Sequence, residues 1–138
     1  MTSTPVHARG LLDTSAVISL PRLRPDSLPE EPLISTITLA ELSVGTLLAT
    51  SDEERIARQM HVQQAEADFD AIPFDAAAAR AFAGVAFGLR RAGRTTKARA
   101  FDALIASVAR AHDLPLYTAN ARDFDGIDGL VVVPIVAG

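Results

Sequence analysis

Five short apolar runs, separated by stretches with helical character, constrain this chain more than any other feature. The runs lie at residues 9–13, 33–36, 71–74, 115–118 and 130–133. Each reads as a strand. Strands that alternate with helices point to a mainly parallel sheet covered by helices on both faces, an α/β/α sandwich. The intervening segments agree. Thr14 or Ser15 is placed to cap a short helix to about Leu20. Residues 21–32 hold four prolines and read as a loop or a set of short turns. Thr38 is placed to cap a helix to about Leu48, with Glu41 at the capping-box spacing. Ser51 or Asp52 starts a helix to about Phe69, and Asp75 starts an Ala-rich one to about residue 91. A further helix spans about 99–112, with Leu104, Ile105, Val108 and Ala109 as its apolar face. Residues 121–124 read as one turn of helix.

No internal repeat or domain boundary is visible, so residues 1–138 read as one domain with a loose extension at 1–8. Hydrophobic residues make up 49% and charged residues 22%, enough to bury a core and too apolar for a disordered chain. There is no Cys, which excludes disulfides and thiolate metal sites. No apolar run reaches the roughly 18 residues of a membrane span, and the start lacks a signal-peptide pattern. The expected location is cytoplasmic. The net charge is −4, so nucleic acid would have to be held by a local basic patch or a bridging cation. Arg90, Arg91, Arg94, Lys97 and Arg99 form one such patch.

Seventeen residues are acidic, and most read as solvated surface charge. Asp13 differs, because it ends the first apolar run in Leu11-Leu12-Asp13-Thr14-Ser15. A buried charge is costly unless paired or coordinated, and α/β folds gather their sites outside the carboxyl ends of the strands. Three more acids fall where the surroundings are apolar or small. Glu41 follows the second strand, Asp102 opens an apolar helix, and Asp123 follows the fourth strand. Each has a bland reading as a cap, a turn residue or a partner of the helix dipole. All four nevertheless belong on one rim. A cluster of hard carboxylate oxygens without Cys or suitably spaced His suits Mg2+ or Mn2+. Such clusters serve phosphoryl chemistry, and the cation reconciles an acidic protein with a polyanion.

These segments resemble the PIN-domain ribonucleases, specifically VapC-type toxins of bacterial toxin–antitoxin pairs. The matching pieces are Leu11-Leu12-Asp13-Thr14-Ser15, Thr38-Leu39-Ala40-Glu41-Leu42, Phe101-Asp102-Ala103-Leu104-Ile105-Ala106 and Leu116-Tyr117-Thr118-Ala119-Asn120-Ala121-Arg122-Asp123-Phe124. The order and spacing of the acids, 28, 61 and 21 residues apart, make the set specific. The resemblance implies a PIN-like sandwich and Mg2+- or Mn2+-dependent endoribonuclease activity on tRNA, rRNA or mRNA. It also implies a VapB-type antitoxin partner, a homodimer, and a heterotetramer or larger complex with the antitoxin. By position, Asp13, Glu41 and Asp102 become acids of the metal site. The fourth acid falls at Asn120 or Asp123 and is assigned to Asp123, which carries charge. Thr118 becomes a supporting hydroxyl, and Asn120 can orient water or substrate. The basic run 90–99 is a candidate RNA contact. A haloacid-dehalogenase-type phosphatase would need a second Asp where Ser15 stands. The remaining alternative is a catalytically degenerate PIN-fold binding module, and the presence of all four acids argues against it.

Overall fold

The computed structural model describes residues 7–94 and 99–135. The strands are β1 (Arg9–Leu12), β2 (Glu31–Ser35), β3 (Ala71–Ile72), β4 (Leu116–Thr118) and β5 (Val132–Pro134). They form one sheet in the order β3-β2-β1-β4-β5, and every pairing is parallel. The helices are α1 (Thr14–Ser19), α2 (Thr36–Leu47), α3 (Asp52–Asp68), α4 (Ala76–Arg91) and α5 (Ala100–Ala111). The expected α/β sandwich is therefore what the chain forms.

Strand side chains alternate between two cores, one on each face of the sheet. Leu11, Leu33 and Leu116 pack on one face with Ala78, Val85 and Leu89 of α4 and with Ala103, Ile105, Ala106, Val108 and Ala109 of α5. Leu12, Ile34 and Tyr117 pack on the other with Ala16 and Val17 of α1, Leu42 of α2 and Ala65 of α3. Two residues beyond Leu11, Leu33 and Leu116, the same alternation brings Asp13, Ser35 and Thr118 to the carboxyl edge. From β1 the chain continues to β2 on one side, and only much later adds β4 on the other. The carboxyl edge between β1 and β4 is thus the point where strand order reverses, where sites in such sheets form.

Several local expectations shift. The cap of α1 is Asp13 itself, whose Oδ1 accepts from the Ala16 N–H at 2.9 Å, and not Thr14 or Ser15. The cap of α2 is Ser35, whose Oγ accepts from the Thr38 N–H at 3.2 Å. Thr38 is thus the third residue of the helix rather than its cap, and Glu41 loses its capping-box reading. Strand β2 begins at Glu31, with Pro32 near its start beside Gly10, where a missing N–H is tolerated. Strand β5 begins at Val132, after a turn at Gly129 with φ 79°. His7 and Ala8 are not loose, since their carbonyls accept from the Glu30 and Glu31 N–H groups at 3.0 and 2.9 Å.

A close approach holds the segment after β4 against α4. A Cβ built at Gly88 would lie 2.5 Å from the Gly126 carbonyl oxygen. Gly126 has φ 91°, which favours glycine. This contact fixes the 3-10 turn Ala121–Phe124, whose Phe124 is buried in the α4–α5 core. Gly88→Ala should lower unfolding stability by about 1–3 kcal/mol. Denaturant titration checks this, and an unchanged midpoint would contradict it.

Candidate active site

Asp13 is 3% exposed at the end of β1. Its carboxylate is held from both neighbouring segments. Oδ1 accepts from the Ser15 hydroxyl at 2.7 Å and from the Ala16 N–H at 2.9 Å. Oδ2 accepts from the Thr118 hydroxyl, at the end of β4, at 2.5 Å. The Ser15 Oγ accepts in turn from the Ala119 N–H at 3.0 Å, and Thr118 Oγ1 from the Asn120 N–H at 2.9 Å. Burial pushes the Asp13 carboxyl above its usual range, those hydrogen bonds oppose the shift, and repulsion from Asp123 adds to it. Thr118, expected as a supporting hydroxyl, is thus in contact with Asp13. Ser15 has a position that sequence reasoning missed; its only signal was a hydroxyl two residues beyond a strand-end acid.

Glu41 lies in α2 and Asp102 in the first turn of α5, and these two helices pack against each other. The start of α2 is tied to the start of α1 by the buried Thr14 hydroxyl, which donates to Thr38 Oγ1 at 3.1 Å. Glu41 Oε1 is buried and has no hydrogen-bond partner. The Asp102 carboxyl is pushed up to about 6. Burial is the largest cause, followed by repulsion from Asp13, Glu41 and Asp123; Arg99 pulls the other way. Carboxylates from four elements therefore act on one another at the rim.

Asp123, in the 3-10 turn, does not cap or close that turn with its side chain. It pairs with Arg99 at 2.8 Å and with Arg94 at 3.6 Å. Arg99 also reaches Asp102 at 3.8 Å. Asn120 precedes the turn and is exposed, with only its backbone tied to Thr118. The basic run divides in two. Arg94 and Arg99 turn to the acids. Arg91 lies over the Phe87 ring at 5.7 Å and pairs with Asp128 at 3.6 Å, while Arg90 is exposed at the end of α4. Lys97 lies outside the described residues.

The donor set suits a hard divalent cation. It offers only oxygens, one of them buried and unpartnered at Glu41, and repulsion from the other acids adds to burial at Asp102. Among the described residues, no three acidic or histidine groups are gathered closely enough to hold an ion as they stand. Among the described residues, Arg99 and Arg94 bring positive charge to the rim.

The family model described as the PIN domain matches residues 10–130. The chain belongs to the PIN-domain family. It is 35% identical to ribonuclease VapC5 of Mycobacterium tuberculosis, with 99% of this chain and 98% of that protein aligned. It is 31% identical to the tRNA(fMet)-specific endonuclease VapC of Shigella flexneri, over 87% of this chain and 92% of that one. Among solved structures it is similar to VapBC-5 of the VapBC family of toxin–antitoxin systems from Mycobacterium tuberculosis. That likeness has a TM-score of 0.79 and 32% identity, and it covers 92% of this chain and 98% of the other. A toxin–antitoxin complex from Klebsiella pneumoniae gives a TM-score of 0.57 at 28% identity, covering 88% and 95%.

The raised carboxyl of Asp102 makes this PIN domain's stability depend on pH in a stated direction. Without metal, the folded chain keeps a proton that the unfolded chain releases. Stability from this group is present below pH 3.8 and is lost as pH rises through about 6. Asp102→Asn removes that loss. Thermal melts in EDTA should find the variant more stable than the native chain at pH 7 and not at pH 4; an equal difference at both would contradict the coupling.

Proposed function

We propose that the chain is a Mg2+- or Mn2+-dependent endoribonuclease, the toxin of a toxin–antitoxin pair. The repulsion that Asp13, Glu41 and Asp123 exert on the buried Asp102 carries this reading. The names of two relatives, a ribonuclease at 35% identity and a tRNA(fMet)-specific endonuclease at 31%, support it. Asp13, Glu41, Asp102 and Asp123 would hold the metal. When bound, the ion supplies a water of lowered pKa and neutralises the charge of the phosphodiester. Thr118 and Ser15 keep the Asp13 oxygens oriented. Asn120 is placed to orient water or substrate, and Arg99 and Arg94 supply positive charge beside Asp102 and Asp123. The rest of the basic run, Arg90, Arg91 and Lys97, extends the path available to RNA.

The test is cleavage of RNA by purified protein with Mg2+ or Mn2+, and growth arrest on expression. Asp13→Asn should lower cleavage by about 100-fold or more and relieve the arrest. Asn still caps α1, so the fold should persist. Absence of cleavage by the native chain under either ion would leave a degenerate binding module instead.

The solved neighbours from Mycobacterium tuberculosis and Klebsiella pneumoniae are a toxin–antitoxin family member and a toxin–antitoxin complex. We extend that partnership to this chain: a VapB-type antitoxin, bound to a homodimer of the toxin in a heterotetramer or larger assembly. The α2–α3 pair offers exposed apolar side chains for it, Leu47 at 80% and Leu48 at 69% from the end of α2, and Ile56 and Met60 from α3. A small protein, where one is encoded immediately upstream, should form a stable complex on co-expression, and Leu47→Asp should weaken that complex at least about tenfold. Unchanged affinity would move the antitoxin to another face.

A further inference from the structure

A cavity of about 380 Å³ opens beside Asp123, lined by Arg94, Ala119, Asn120, Ala121, Arg122 and Asp123. Its size falls within the range of small-ligand sites, about 300–1,000 Å³. Its charge is opposite to that of the rim it adjoins. Asp13, Glu41 and Asp102 are negative, whereas the cavity wall carries two guanidinium groups against the single carboxylate of Asp123. Arg94 has donors to spare. One of its terminal nitrogens donates to the Arg122 carbonyl, its contact with Asp123 at 3.6 Å is longer than a hydrogen bond, and its Nε is buried without a partner. A guanidinium carries five donors, and an unmet buried one is costly. Arg122 takes part in no ion pair among the described residues.

We infer that this cavity is the subsite for the RNA nucleotide next to the bond that is cut, with its phosphate on Arg94 and Arg122. The inference rests on the ribonuclease reading. Asp123 belongs both to the rim and to the cavity wall, so a strand with one phosphodiester on the acids passes its neighbour directly into the cavity. The volume exceeds what a lone carboxylate needs. Ala119 and Ala121 leave open the space a base would occupy, and the Asn120 carboxamide has the donor and acceptor of a base-edge partner. An acidic peptide would use the arginines alone.

Two variants test this. Ala121→Leu narrows the cavity without changing charge, and Arg94→Gln removes the phosphate contact. Binding of a labelled hexaribonucleotide in EDTA is read by anisotropy, and Mn2+-dependent hydrolysis is read on that oligonucleotide and on bis(p-nitrophenyl) phosphate, which has no neighbouring nucleotide. Ala121→Leu should raise the KM for the oligonucleotide about tenfold and leave hydrolysis of the small diester unchanged. Arg94→Gln should weaken oligonucleotide binding at least about tenfold and reduce the log–log salt slope by about 0.7. The inference is overturned if both variants bind and cleave the oligonucleotide like the native chain. It is equally overturned if Ala121→Leu slows both substrates alike, or if the variants lose only antitoxin binding. If the native chain cleaves no RNA yet the Arg94 effect on binding remains, the ribonuclease reading fails, and the cavity holds RNA without being a subsite beside a cut bond.

Discussion

A carboxylate buried at the end of a central strand has to be held by donors, and at Asp13 three of them converge from two sides of the strand-order reversal. The Ser15 hydroxyl and the Ala16 N–H come from the segment that follows β1, and the Thr118 hydroxyl comes from the end of β4. The same side chain therefore caps α1, links two adjacent parallel strands and presents charge at the rim. Its local partners are engaged in turn: Ser15 receives the Ala119 N–H, and Thr118 receives the Asn120 N–H. That chain of contacts sets the path of the backbone toward Asn120 and Asp123. Structure and chemistry are not separable at this residue.

The remaining rim is arranged around a surplus of negative charge. Burial, and then repulsion from Asp13, Glu41 and Asp123, raises the carboxyl of Asp102, and Asp123 adds to the effect of burial on Asp13. A fold selected only for stability would not keep this arrangement, since apolar or amide groups at these positions would avoid the repulsion. Arg99 and Arg94 offset part of it through Asp102 and Asp123, but Glu41 Oε1 stays buried and unpartnered. A divalent cation, with its concentrated charge and preference for carboxylate oxygen, answers both the repulsion and the orphaned acceptor.

The layout of the fold was legible because short apolar runs and helical stretches alternate cleanly, and each run expected as a strand overlaps one. Helix starts were less legible. Asp13, Thr14 and Ser15 are all competent caps, as are Ser35 and Thr38, and composition does not say which oxygen meets a free N–H. The error mattered at Glu41, whose capping-box reading disappears once Ser35 takes the cap. At the rim, the residue types and their order pointed to Asp13, Glu41, Asp102 and Asp123 together. The division of the basic run did not show, because it depends on how the chain turns after α4. Arg94 returns to a carbonyl 28 residues further on, a relation that neighbouring residues in the sequence cannot report.

The central claim is that these four acids form one divalent-metal site. The most direct test is a crystal of the chain grown with Mn2+, with an anomalous difference map computed at the manganese edge. The expected result is a peak at about 2.1 Å from oxygens of Asp13 and Asp102, with Glu41 or Asp123 completing the shell directly or through water. No peak at the rim, or manganese bound only elsewhere on the surface, would contradict the account.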